Sequence, residues 1–208
     1  DLSKAQISQT YYPGILILDL NFENLLIRRK LIFINNRESM IETRITNIAS
    51  EDITLKVSFI GEFKNMGKVN KTEDGIIYKL SESQNQFEIL FRNKVDISIT
   101  DSTYSALMTT SKLKSRHSLT FSESNFYTLG REQYTPSKEN GNFDTELSKN
   151  EERWSRYLKN YFSKATDLSQ VQQRLAVKSI VTLMTNWRSP AGDLLHNGVF
   201  PSVSYQGF

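Results

Sequence analysis

The 208-residue sequence contains no cysteine. That single absence excludes disulfides, thiolate catalysis, zinc ribbons and iron–sulfur ligation together. It leaves the compartment open, because exported bacterial proteins also lack cysteine. Histidine is scarce: only His117 and His196 occur. The glycine-rich phosphate loop, the Gly-x-Ser-x-Gly elbow and the His-Glu-x-x-His zinc motif are all missing. No cofactor, no metal and no catalytic residue is therefore expected from the motifs. No apolar run approaches the roughly 18–20 residues of a membrane span, and the mean hydropathy is −0.45. No membrane partner is expected. Nor is there an excess of one charge: 26 basic residues against 23 acidic leave a net charge of +3. Nucleic-acid binders concentrate Lys and Arg far more than this, so no nucleic-acid partner is expected either.

Aromatics are present in quantity, with 12 Phe, 9 Tyr and 2 Trp, enough to furnish a substantial core. In the first two thirds the hydrophobic period is two. Ile53, Leu55, Val57 and Phe59 alternate with polar residues, as do Ile76, Tyr78 and Leu80, then Phe87, Ile89 and Phe91, then Val95, Ile97 and Ile99. Such alternation means a strand with one buried and one wet face. Residues 15–20, 25–34 and 40–48 read as further strands, and 104–110, 115–121 and 125–129 as weaker ones. Turn residues separate them at 35–36, 49–52, 73–75 and 82–86. Eight to ten strands without βαβ alternation predict a mainly β chain, an antiparallel β-sandwich.

Near residue 140 the period changes. Trp154, Tyr157, Leu158, Tyr161 and Phe162 share one helical face behind a capping-box match, Ser148-x-x-Glu151. A second match, Asp167-x-x-Gln170, precedes an apolar stripe of Leu168, Val171, Leu175, Ile180, Leu183, Met184 and Trp187. Pro190 ends that helix. The expectation is thus a sandwich followed by two α-helices, with residues 138–141 as the linker between the β and helical parts. Residues 190–208 read as irregular, and a long structureless tail is unusual in a compact domain.

Few residues invite chemistry. His117 lies in a polar strand-like stretch and reads as a surface residue. His196, with Asp193 nearby, suits a sugar or water contact. Asn140, Asn142, Asp144 and Glu146 alternate like the start of a calcium loop, but Thr145 stands where glycine is needed and the bidentate Glu is missing. A helix start is the better reading. Asn70-Lys71-Thr72 matches a glycosylation acceptor, a common triplet. The neighbours Glu51-Asp52, Glu73-Asp74 and Glu151-Glu152 read as solvated surface and not as a two-carboxylate catalytic pair. The most informative segment is Thr185-Asn186-Trp187-Arg188-Ser189-Pro190-Ala191-Gly192. An indole face beside a guanidinium suits a sugar ring and its hydroxyls. Equally, Trp187 can close the apolar stripe while Arg188 caps the helix C-terminus, and the residues alone favour that plainer reading.

This segment also carries a family resemblance. Residues 176–192, from Ala176-Val177-Lys178 through Asn186-Trp187-Arg188-Ser189-Pro190, resemble the start of the catalytic domain in glycoside hydrolase family 63. The similarity is to its bacterial α-glucosidase-like branch, also labelled trehalase-like or putative isomerase. His196-Asn197-Gly198-Val199 and Pro201-Ser202-Val203 continue it, and residues 40–47 are a weak echo. The resemblance implies an N-terminal β-sandwich domain over 1–135, a helical linker over 136–167, and the start of an (α/α)6 catalytic domain over 168–208. It implies an inverting α-glycosidase acting on α-linked glucosides or oligosaccharides, periplasmic or secreted, with Trp187, Arg188, Tyr205 and Phe208 placed nearest the sugar. The family's Trp-Asp-(Ser/Thr)-Trp segment and its catalytic carboxylates are not in the sequence. The expectation is accordingly an inactive fragment starting at a processed or trimmed Asp1, whose partner is the remaining barrel of the same enzyme.

Two readings from other classes stand beside it. A non-catalytic carbohydrate-binding or scaffolding sandwich predicts exposed aromatics on one sheet face. An interaction module predicts that the helices over 144–189 dock on a partner.

Overall fold

The computed structural model describes residues 2–63, 67–81, 85–108, 111–128, 142–188 and 195–199. The linker candidate at 138–141 lies outside the described residues, as do Asn140, Asp193, Tyr205, Phe208 and most of the 190–208 tail.

The fold is mainly β with antiparallel sheets, followed by two helices, as the two hydrophobic periods predict. One large sheet has eight strands: β1 (Gln6–Tyr12), β2 (Ile15–Asn21), β3 (Leu25–Phe33), β4 (Glu38–Asn47), β13 (Ser118–Thr128), β9 (Gln86–Phe91), β8 (Gly75–Leu80) and β7 (Gly67–Lys71), in that spatial order. A smaller sheet is made of β10 (Val95–Thr100), β11 (Thr103–Met108) and β6 (Ser58–Glu62). A short ribbon pairs β5 (Ile53–Leu55) with β12 (Ser111–Leu113), and β14 (Trp187–Arg188) pairs with β15 (Gly198–Val199).

Turn chemistry joins the first strands. Pro13 and Gly14 alone link β1 to β2, and Gly14 has φ +80°. Proline first and a positive-φ glycine second fit a type II turn. At the end of β4, Asn47 is fully buried and its amide donates to the Glu51 and Leu113 carbonyls, while its oxygen accepts from Ala49 N–H. Every polar atom of that side chain is thus used.

Because side chains alternate along each strand, the register divides the large sheet into two faces. The inner face meets the smaller sheet and ribbon. There Ile76, Ile89 and Phe91 pack with Ile97 and Ala106, and Ile45 and Phe121 pack with Met108 and Leu113. The outer face carries α1 (Phe143–Phe162), whose Phe143 and Leu147 join Ile15, Ile32 and Met40. Hydrogen bonds anchor α1 to the turns of the sheet. Asn150 donates to Gly14 O at 3.0 Å, and Arg153 donates to Ile34 O at 3.0 Å and Phe33 O at 2.6 Å.

Several expectations are corrected. The alternation over 53–59 is real, but the chain changes partner at Lys56–Val57: β5 joins the ribbon and β6 the smaller sheet. The two weaker strands read at 115–121 and 125–129 fall on one long strand, β13 (Ser118–Thr128), running between β4 and β9. Strands β1 and β7 were not anticipated, because polar β1 lacks apolar alternation and β7 is short and lysine-rich. Neither predicted capping box caps a helix. Ser148 lies inside α1 and bonds back to Asp144 O, whereas Asn142 caps that helix. In α2 (Gln170–Thr185) the box is Ser169-x-x-Gln172. The apolar stripe of α2 is largely open: Val171, Leu175 and Leu183 are exposed, and Ala176 is the buried residue of that helix. An (α/α)6 barrel is not found among the described residues.

Candidate carbohydrate-binding face

The smaller sheet and ribbon cover only part of the inner face. Over β1, β2 and the upper part of β3 that face stands open, and the register says which residues it presents. Tyr11, Leu16, Leu31 and Ile41 lie in one row, followed by Gln9, Leu18, Arg29 and Thr43 in the next. The leucines are half-buried and form a floor, while aromatic rings rise from it. Tyr11 on β1 is 51% exposed, Phe33 on β3 58%, and Tyr127 on β13 37%. All three share the inner face by strand parity. From Tyr11 to Phe33, and again from Phe33 to Tyr127, the step is two strands across and two residues along, about 12 Å each from ordinary strand dimensions. The rings therefore make a diagonal with even steps.

Polar groups flank it. Arg29 reaches across β4 to Glu123, with Nη2 3.3 Å from the carboxylate. Burial pushes the Glu123 carboxyl above the usual carboxylate range, and the Arg29 charge offsets only part of that. Burial likewise raises the Tyr104 phenol, helped by the negative charge of Glu123. A guanidinium, a carboxyl and a phenol can donate to and accept from hydroxyl groups. At the Tyr11 end the face borders a cleft of about 920 Å³ between the β1–β2 turn and α2, lined by Tyr11, Pro13, Phe162, Gln173, Arg174 and Lys178 among others.

The residues singled out in the sequence fall elsewhere. Trp187 is 43% exposed in β14, paired with Val199, and does not line the cleft. Arg188 pairs with Gly198 through its backbone, while its side chain lies outside the described residues, as do Tyr205 and Phe208. The expected cluster of these four is therefore not brought together among the described residues. His196 is exposed beside β15. His117 is exposed, with Nδ1 2.9 Å from the Ser115 carbonyl oxygen. Asp52 accepts from Ser115 N–H at 3.0 Å and sits 3.2 Å from Lys112, and the first of these contacts does most to lower its carboxyl. Glu151 and Glu152 are exposed on α1. Tyr11, Phe33 and Tyr127 were missed, although Tyr11-Tyr12-Pro13-Gly14 signals a strand running into a turn. Their common face becomes visible only when the register across β1, β3, β4 and β13 is known.

No family model matches this chain. Among solved structures it is similar to the heparan sulfate lyase HepC from Pedobacter heparinus, at 13% identity and a TM-score of 0.43 over 67% of this chain and 24% of that one. A HepC mutant gives 12% and 0.45 over the same shares. A heparinase III gives 17% and 0.39, over 68% of this chain and 22% of that one. The chain spans about a quarter of the length of these proteins. These findings overturn the assignment to glycoside hydrolase family 63: no family model supports it, and the solved structures named above are a heparan sulfate lyase and a heparinase III instead. α-Glucoside hydrolysis and the expected (α/α)6 barrel rested on that resemblance and are withdrawn with it.

Proposed function

We propose that the chain is a carbohydrate-binding β-sandwich that holds a polysaccharide strand along the open inner face of its large sheet. The observation that supports this reading is the diagonal of Tyr11, Phe33 and Tyr127, three exposed rings on one face. A pyranose ring has an apolar face of C–H groups that stacks on an aromatic ring, while its rim of hydroxyls needs polar partners. Steps of about 12 Å are on the scale of a disaccharide, so one strand can meet successive rings. Arg29 and Glu123 lie to one side of the diagonal, four residues along their strands from Phe33 and Tyr127, and suit the hydroxyls. A polysaccharide ligand also suits a periplasmic or secreted location, which fractionation of the source cells tests.

Isothermal titration with a series of neutral and acidic oligosaccharides tests the proposal. Affinity should rise with chain length until all three rings are spanned, then level off. Binding that is absent for every polysaccharide tried, or independent of length, overturns it.

A second reading has one observation in its favour. Val171, Leu175 and Leu183 are exposed on α2, as expected of a helix that docks on a partner. Changing Leu175 to Gln leaves sugar binding intact under the first reading.

A further inference from the structure

The two edges of the large sheet differ. At one edge, β7 is five residues long, begins with glycine and carries Lys68 and Lys71; Lys71 Nζ is tied to Ile97 O at 2.9 Å. Short length and lysines are the usual protection of an exposed edge. At the other edge, β1 has seven residues, Gln-Ile-Ser-Gln-Thr-Tyr-Tyr, with no charge, no proline and no glycine. All seven are exposed, and among the described residues no strand pairs with its outer side.

The backbone parity of this edge follows from the turn. Tyr12 and Ile15 close a two-residue hairpin, so they exchange hydrogen bonds, and so do Thr10 with Ile17 and Ser8 with Asp19. The N–H and C=O groups of Ile7, Gln9 and Tyr11 therefore point outward, away from β2.

We infer that β1 is an interface between two copies of this chain, paired antiparallel about a two-fold axis at Gln9. That register sets Gln9 against its own copy and Ile7 against Tyr11, so the three outward-pointing residues of each strand meet the three of the other. It places no charge against a like charge, because β1 has none. Ile7 and Tyr11, 53% and 51% exposed in the single chain, lie on the same face and sit side by side across the junction. An isologous contact of this kind closes on itself and stops at a dimer. The axis runs perpendicular to the sheet, so both inner faces look the same way and the two aromatic diagonals join one surface. The inference stands on the edge itself and does not depend on sugar binding.

Sedimentation analysis of the 208-residue chain over micromolar concentrations tests it, with three variants. The chain should form a concentration-dependent dimer. Gln9→Pro removes an outward N–H and leaves the hydrogen bonds to β2 in place; it should weaken association at least tenfold while the thermal melt shifts little. Since the chain has no cysteine, Gln9→Cys supplies a single thiol that meets its copy at a Cα separation of about 5.5 Å, within disulfide reach. It should cross-link on mild oxidation, whereas Thr10→Cys, off the axis and on the other face, should not. A chain that stays monomeric throughout, a dimer indifferent to Gln9→Pro, or equal cross-linking at both positions overturns the inference.

Discussion

The two halves of the large sheet are built from the same antiparallel ladder but are put to different use. Over β8 and β9 the inner face is covered by a second sheet, and Ile76 and Phe91 are buried there at 0% and 4% exposure. Over β1, β2 and the upper part of β3 the ladder continues without a cover, and the Tyr11 and Phe33 rings stand in solvent above a leucine floor. A strand needs its hydrogen bonds on the sides but not a lid on both faces. Stability is therefore concentrated in the covered half, and the open half is available for a ligand.

The largest effect should come from truncating the covered half. Phe91→Ala should cost about 3–5 kcal/mol, whereas Tyr11→Ala should cost less than about 1 kcal/mol; denaturant midpoints compare them. Equal losses would mean that the open half is packed after all. Next comes the turn that ties the open half to α1. At Gly14 an added Cβ would run into the Trp154 indole and must also adopt φ +80°. Gly14→Ala should therefore cost roughly 1–3 kcal/mol, more than φ strain alone suggests, measured by the thermal midpoint. Ser169→Ala removes the capping box of α2 and should cost about 1 kcal/mol of helix stability, seen as faster amide exchange in its first turn. The sheet core should be unaffected, because α2 packs little against it.

A smaller effect belongs to the boundary between the halves. Burial raises the Glu123 carboxyl in the folded chain. A raised carboxyl favours the folded state below its unfolded pKa, and that contribution is lost as pH rises through the folded value. The wild-type chain should lose a little stability on going upward from the usual carboxylate range, and Glu123→Gln should not. The sign is opposite at Asp19. The hydrogen bond from Arg28 lowers its carboxyl, so its small, solvent-screened contribution disappears as pH falls. Urea midpoints at acidic and neutral pH separate the two.

The covered half was legible in the sequence because burial on one face leaves a period-two pattern: β8, β9 and β10 stand where Ile76, Phe87 and Val95 begin their alternations. The open half was less so. β1 has no core face, hence no apolar alternation, and only Pro13-Gly14 betrays its end. The switch of partner at Lys56–Val57 is invisible because alternation reports burial and not which sheet buries. The site was least legible of all. Trp187 and Arg188 drew attention by being a rare pair in sequence, whereas Tyr11, Phe33 and Tyr127 are 22 and 94 residues apart and converge only through register.

The most direct test of the carbohydrate-binding face is Phe33→Ala, the middle ring of the diagonal, titrated with the best-bound polysaccharide beside the unaltered chain. The account predicts at least a tenfold loss of affinity with an unchanged thermal melt. Unchanged affinity would contradict it and return the open face to an uncommitted surface.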